Sequence, residues 1–413
     1  MPDKSVNGAN GECDGERFVI VARTIVTILA ISKAVLISDN RGYKTKPAWF
    51  VIRHFLVLSK TSIEFQTLQA MFSVVLTAVA LAAVALSKSL PSTTLAQLEV
   101  STFLENIAVR SNGDLLVTKL WPSAAIYTIR APWQRRNTLE QVISIPSIQS
   151  IYGLTQVAPS RQGVESFIFV GGNSTSPGET VTGSFGAWAI DFESPGNEVK
   201  VRKVSDMSPQ SEFLNGVTAV PGISDVVLVA DSANGFVGRL ELTTGTFDTS
   251  TFRFPLEMDP AEGARLPIGV NGIQIRNGHL YWTNSFQACI YRIAITPTGF
   301  PARYSRPELI ANLSKGVNFL DDFSFDVDGN IYASTNLDNS IVFIDTRSKE
   351  WKTVVGGIGE MTVAGSTSVT FGRGSKDKGV LYVSTSGAIA TPVNGTEIEG
   401  SKVVAVDTRL REM

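Results

Sequence analysis

The stretch FLDDFSFDVDGNIYAST, Phe319 to Thr335, admits two readings that lead to different proteins. As an EF-hand loop it would need oxygen ligands at alternate positions around its glycine and a glutamate at the twelfth position. Counting from Gly329, the first ligand position falls on Ser324 and the twelfth on Thr335, so the EF-hand reading fails. With a period of two, Phe323, Phe325 and Val327 point one way, Asp328-Gly329-Asn330 turns, and Ile331-Tyr332-Ala333 returns as a second strand. The stretch is then a hairpin, with two acids, Asp321 and Asp322, at the start of its first strand.

Working outward from that hairpin, the same unit recurs along the chain. Its copies read ENIAVRSNGDLLVTKLW, YGLTQVAPSRQGVESFIFVGGN, LNGVTAVPGISDVVLVADSANG, VNGIQIRNGHLYWTNSFQ, LDDFSFDVDGNIYASTNLDN and STSVTFGRGSKDKGVLYVSTSG. A third strand follows each: AAIYTI, GAWAIDF, GFVGRLEL, ACIYRIAI, SIVFIDT and KVVAVDT. A repeat of roughly 50 to 60 residues built from short strands fits four-stranded propeller blades. A parallel β-helix would show shorter coils, and a sandwich no fixed period. The segment TLAQLEVST, ahead of the first unit, can supply the outer strand of the last blade and so protect the ring's edges. The sequence therefore predicts an all-β, six-bladed β-propeller over residues 93–413, with a hydrophobic N-terminal extension.

Composition narrows the chemistry. The chain has 413 residues and a net charge of -2, which gives no electrostatic case for nucleic acid. Cys13 and Cys289 lie in regions of opposite character, so neither a disulfide nor a cysteine metal site is expected. With only His54 and His279, a histidine triad or a zinc site has little material. Before the ring, MFSVVLTAVALAAVALSKS begins at Met71 and has the apolar run and small-residue end of a secretory leader. Upstream, RFVIVARTIVTILAISKAVLI is apolar but interrupted by Arg23 and Lys33, which a membrane span would carry at a cost. Residues 1–70 thus read as an extension that is either an artefact of the assigned start or a membrane segment, and 71–92 as a leader or anchor. Asn173, Asn312 and Asn394 begin glycosylation sequons. The expectation is the secretory pathway, or membrane anchoring through the N-terminal segments, and a monomer.

In a propeller blade the innermost strand starts beside the central channel and the second strand ends at the same face. Glu105, Tyr152, Asn215, Asn271, Asp321 and Thr367 start the inner strands, and four of these six carry carboxylate or amide oxygens. Oxygen donors without imidazole or thiolate suit calcium, or magnesium or manganese less selectively. Lys119, Trp121, Asn173, Asp231, Asn284, Phe286, Asn336 and Ser386 end the second strands. Their mixture of small polar groups and aromatics is that of a pocket for an organic ligand.

These residues resemble the SMP-30/gluconolactonase-like six-bladed propellers, and with them the calcium-dependent arylesterase propellers, over about residues 93–413. The matching text is Glu105-Asn106-Ile107, Asn215-Gly216-Val217, Asn271-Gly272-Ile273 and Asp321-Asp322-Phe323; the Gly-Pro and Pro-Gly that accompany those ligands in the family are absent here. FLENIAVRSNGDLLVT, the leader and the sequons look most like a fungal branch that includes hetero-Diels-Alderases of tropolone-sesquiterpenoid pathways. That resemblance implies coupling of a quinone-methide-like partner to a terpene alkene, with Asp231 and Asn284 polarising or holding oxygen. Lys119, Trp121, Phe286 and Asn215 would then bind substrate. The four-member oxygen ring supports a second function, in which Ca2+ or another divalent cation on Glu105, Asn271 and Asp321, with Asn215 nearby, opens a lactone or ester and Asp231 serves as base. A non-catalytic binding propeller is the third.

Overall fold

The computed structural model describes residues 89–159, 161–193 and 198–409, and the ring lies within the unit Ser87–Met413. The expectations placed on residues 1–70, and on 71–88 of the leader segment, lie outside the described residues. Among the described residues no helix is long and apolar enough to cross a membrane.

Six four-stranded antiparallel sheets follow one another around an axis. Blade 1 comprises Phe103–Val109, Leu115–Trp121, Ala125–Ile129 and Glu140–Ser144; blade 2 comprises Ser150–Val157, Val164–Gly172, Gly186–Glu193 and Glu198–Asp206. Blade 3 comprises Leu214–Ala219, Val226–Asp231, Phe236–Glu241 and Phe247–Phe252, and blade 4 Val270–Arg276, His279–Asn284, Cys289–Ala294 and Glu308–Asn312. Blade 5 comprises Phe323–Phe325, Ile331–Ser334, Ser340–Ile344 and Trp351–Gly356. Blade 6 takes Ser366–Phe371, Val380–Thr385 and Gly400–Asp407 from the end of the ring and its outermost strand, Ser92–Val100, from the beginning. Ser92 pairs with Val406 and Val100 with Gly400, so the ring closes as the apolar pattern of TLAQLEVST suggests.

The opening hairpin is confirmed with one difference. Val327 is not the third residue of the strand: it is 84% exposed in the turn. The strand stops at Phe325 because the Asp326 carboxylate accepts the Asn330 N–H at 2.8 Å and starts the turn early.

Apolar clusters fill the interfaces between neighbouring blades. Leu116, Ile151 and Phe169 join blades 1 and 2; Leu228, Ile273 and Trp282 join blades 3 and 4; Leu104, Val117, Tyr382 and Val403 join blade 6 back to blade 1. Each buried side chain of this size contributes about 1.5–3 kcal/mol.

Nearest the axis, the inner strands share a bulge. In blade 3 the ladder passes from Leu214 opposite Asp231 to Val217 opposite Val229, so Asn215 and Gly216 together face Ala230. The same shift falls at Glu105-Asn106, Tyr152-Gly153 and Asn271-Gly272. Hydroxyls of the second strands fasten these bulges to the next blade: Thr118 donates to the Tyr152 carbonyl at 3.1 Å, Thr283 to Asp321 at 2.9 Å, Ser334 to Thr367 at 2.6 Å and Ser384 to Glu105 at 3.3 Å.

Candidate functional site

A bulge presents two consecutive side chains toward the axis, and the two go different ways. The first residues, Glu105, Tyr152, Asn215, Asn271 and Asp321, line a cavity of about 50 Å3 at one mouth of the channel. The second residues that carry side chains, Asn106, Asp322 and Ser368, line a polar chamber of about 140 Å3 on the other side. In blades 2, 3 and 4 the second residue is Gly153, Gly216 or Gly272. A Cβ at Gly216 would run into the Asn271 carbonyl and one at Gly272 into Asp322, so this spacing requires glycine.

The mouth cavity has a polar floor and an aromatic wall. Asp321 accepts Asn271 Nδ2 at 2.9 Å on one oxygen and Asn336 Nδ2 at 2.8 Å on the other. Asn271 also donates to Ser285 Oγ at 3.0 Å, while its own Oδ1 is buried with no partner among the described residues. Neither the Glu105 carboxyl nor the Asn215 amide makes a side-chain hydrogen bond to protein among the described residues, although both are buried. Burial, reinforced by the charges of Asp321 and Asp322, pushes the Glu105 carboxyl well above the usual carboxylate range. Burial and then the Asp322 charge raise Asp321 in the same direction, against the hydrogen bonds from Asn336 and Asn271. Burial also raises the Tyr152 phenol, whose hydroxyl lies 2.8 Å from Ser174 Oγ. Burial thus raises all three acids around this axis, with mutual repulsion adding to it for Glu105 and Asp321, and a shared cation would act in the opposite direction.

Phe103, Phe213 and Phe319 from alternate blades form the wall, with Leu120, Leu266, Ile268, Phe286 and Leu337. Phe286 stands edge-on to Phe319 with centroids 5.0 Å apart, and Tyr152 edge-on to Phe213 at 5.3 Å. Phe103, Phe213 and Phe319 were not in the sequence expectation, yet a signal for them exists. Each sits two residues before its ring residue, in Phe103-Leu104-Glu105, Phe213-Leu214-Asn215 and Phe319-Leu320-Asp321. A period of two puts the phenylalanine on the face of the acid or amide and buries the leucine between blades.

The ends of the second strands divide. Phe286 and Asn336 reach the cavity, whereas Lys119, Trp121, Asp231 and Asn284 are not among its lining residues. Both oxygens of the fully buried Asp231 are taken, by the backbone N–H groups of Glu212, Phe213 and Asn234 and by Asn234 Nδ2. Asn284 donates to the carbonyls of Glu257 at 3.3 Å and Asp259 at 2.8 Å and accepts from the Gln287 N–H at 3.3 Å. The expected catalytic role of these two thus finds no free polar atom; they hold the loops that carry Phe213 and Leu266. Lys119 lies against Tyr127, with Nζ 5.6 Å from the ring centre. Trp121 packs on the apolar cluster that includes Phe103 and Tyr152. The reason is geometric: the second strand lies about 4.8 Å further from the axis, so its last residue meets the loops of its own blade.

For a divalent cation, the fitting donors are the unpartnered Asn271 Oδ1, the free Glu105 carboxyl and Asp321. All are hard oxygens, and they match the chemistry of a calcium-type ion. Among the described residues no three His, Cys, Asp or Glu side chains cluster to hold a metal, so amide oxygen has to complete any such set. Of the sequon asparagines, Asn312 and Asn394 are exposed, while Asn173 is partly buried with its Oδ1 accepting the Gln149 N–H at 3.2 Å.

No family model matches the chain. The chain is similar to two curated fungal proteins, each named "putative hetero-Diels-Alderase". One, from Phoma, is 29% identical over 312 residues, spanning 71% of this chain and 86% of that protein. The other, from Sarocladium schorii, is 29% identical over 321 residues, spanning 71% and 78%. Among solved structures, a luciferin-regenerating enzyme aligns over 77% of this chain and 95% of its own with a TM-score of 0.54 at 14% identity. Regucalcin from Agrobacterium tumefaciens aligns over 78% and 96% with a TM-score of 0.52 at 11% identity. These structural likenesses concern the fold, a regucalcin-like six-bladed propeller, and the two fungal relatives carry the resemblance to hetero-Diels-Alderases.

Proposed function

We propose that the mouth cavity catalyses a hetero-Diels-Alder coupling, in which an electron-poor oxygen heterodiene of the quinone-methide kind adds to a terpene alkene. In that step the heterodiene's oxygen and its terminal carbon each bond to one alkene carbon, and no atom leaves. The reaction needs neither nucleophile nor base; it needs two reactants held in one geometry, which contributes about 7–11 kcal/mol in the best cases. The observation that carries the reading is the pairing of an aromatic collar, Phe103, Phe213 and Phe319, with unbonded polar groups on the floor beneath it. The rings hold the apolar alkene. The Asn215 amide and the proton-retaining Glu105 carboxyl donate to the heterodiene oxygen and draw electron density from it. Names borne by relatives at 29% identity support the same reaction class.

As described, the cavity is smaller than such a pair, which needs several hundred Å3. Its roof, Pro177 and Gly178, Arg265 and Leu266, and Ala390, comes from loops, and part of that roof would have to shift to admit the reactants.

A second reading is favoured by the orphaned Asn271 Oδ1. With a divalent cation on Glu105, Asn271 and Asp321, the site would hydrolyse lactones or esters, the cation supplying polarisation of the carbonyl. Asn215 and the aromatic wall would then orient the substrate.

Product analysis separates the two. Purified protein is offered a quinone-methide precursor with humulene and, separately, sugar and aryl lactones, each with and without chelator. An enantioenriched adduct that survives chelation is expected. A racemic adduct at the buffer rate, or chelator-sensitive ring opening, would overturn the first reading.

A further inference from the structure

Arg265 is the one cationic side chain among the cavity's lining residues. It belongs to the connection between blades 3 and 4 and is exposed at the rim, above the wall formed by Leu266 and Ile268. Its Nη2 donates to Thr391 Oγ1 at 2.9 Å. Thr391 lies in the loop before the strand Gly400–Asp407 of blade 6, on the opposite side of the ring, so this single bond spans the mouth. None of the ion pairs among the described residues involves Arg265. A guanidinium presents five N–H donors in a planar fork, and Thr391 takes one. The remaining donors stand over a cavity whose deep end holds two carboxyl groups, Glu105 and Asp321.

Along the axis the cavity is thus cationic at the rim, apolar in the middle and polar at the floor. We propose that Arg265 is a substrate-recognition residue, and that it takes a delocalised oxyanion, of the carboxylate or ionised enol type, carried on a flat apolar body. The guanidinium draws such a group to the rim and the aromatic wall accepts the body, so the ligand enters with its oxyanion outward on the guanidinium fork. Thr391 orients the fork from across the ring. The proposal rests on the mouth cavity being the substrate site and names the class of one substrate.

The test is binding, not turnover. Fluorescence titration compares 2-naphthoate with the neutral 2-naphthamide on the wild-type protein, Arg265→Gln and Thr391→Val. Arg265 is exposed, and unchanged thermal melts verify that the variants fold. Wild type is expected to prefer naphthoate by about ten- to a hundredfold, as charge-assisted hydrogen bonds allow. Arg265→Gln is expected to erase the preference while naphthamide binds within about twofold of wild type, and Thr391→Val to weaken the preference severalfold. A preference that persists in Arg265→Gln, equal loss of both probes, or no binding of either probe to wild type overturns the proposal. If no adduct forms in the product analysis while the preference holds, the cycloaddition reading falls and the oxyanion site stands. Adduct formation without the preference sinks the oxyanion site alone.

Discussion

Asp321 and Asp322 are neighbours in the chain and face different chambers. Asp321 closes the floor of the aromatic-walled cavity with both oxygens on amide donors. Asp322 looks into the polar chamber, where its Oδ2 accepts Asn106 Nδ2 at 2.5 Å and burial pushes its carboxyl up to about 6. One extra residue per inner strand makes this difference. A propeller channel is thereby divided into an aromatic-walled cavity and a polar vestibule.

The largest way to break the comparison is to strike the divider itself. Gly216→Ala drives a Cβ into the Asn271 carbonyl, which is backbone and cannot step aside, and is expected to cost about 3 kcal/mol in a urea titration. A loss of less than 1 kcal/mol would mean that the bulges are looser than their packing implies.

A smaller effect contrasts the chambers by activity. Asn215→Ala is expected to slow adduct formation about tenfold, the value of one lost hydrogen bond of about 1.4 kcal/mol, whereas Ser368→Ala in the vestibule stays within about twofold. Equal losses would put the reacting oxygen on the wrong side of the ring.

The smallest effect is in pH. The folded value of Asp322, about 6, lies above its ordinary 3.8, so the native state binds more protons between them. Stability is then fullest below the ordinary value and declines as pH rises toward about 6. Asp322→Asn removes that titration, and its stability relative to wild type should rise across the window and level off above it. Glu105 and Asp321 are raised in the same direction, partly by the Asp322 charge, so their own contributions shrink in the variant as well. A constant difference across the window would show that Asp322 is solvated in the vestibule.

The fold was legible because each blade repeats one pattern and ends its hairpins on turn residues; even the closing strand, Ser92–Val100, could be placed from its position ahead of the first unit. That Glu105, Tyr152, Asn215, Asn271 and Asp321 share one face was legible for the same reason, since a register shared by several strands fixes a face. The second ring divided, with Phe286 and Asn336 at the cavity and Lys119, Trp121, Asp231 and Asn284 away from its lining. Asp231 and Asn284 stand where a polar group at a strand end commonly serves a ligand, yet backbone N–H and carbonyl groups of adjoining loops claimed them first. Arg265 lies outside any repeat, and no periodicity points to a residue in an irregular connection. Phe213 and Phe319 could have been found by asking what precedes each acid or amide by two positions.

The pairing of Ser92 with Val406 also has a consequence for how the ring could be rebuilt. The first and last strands lie side by side at antiparallel spacing, about 5 Å apart, so a short linker could join them and new termini could be cut at an exposed turn position such as Asn112. Such a circular permutant would keep every blade, and its folding would depend on the covalent order of the blades only through the loop it gains and the loop it loses.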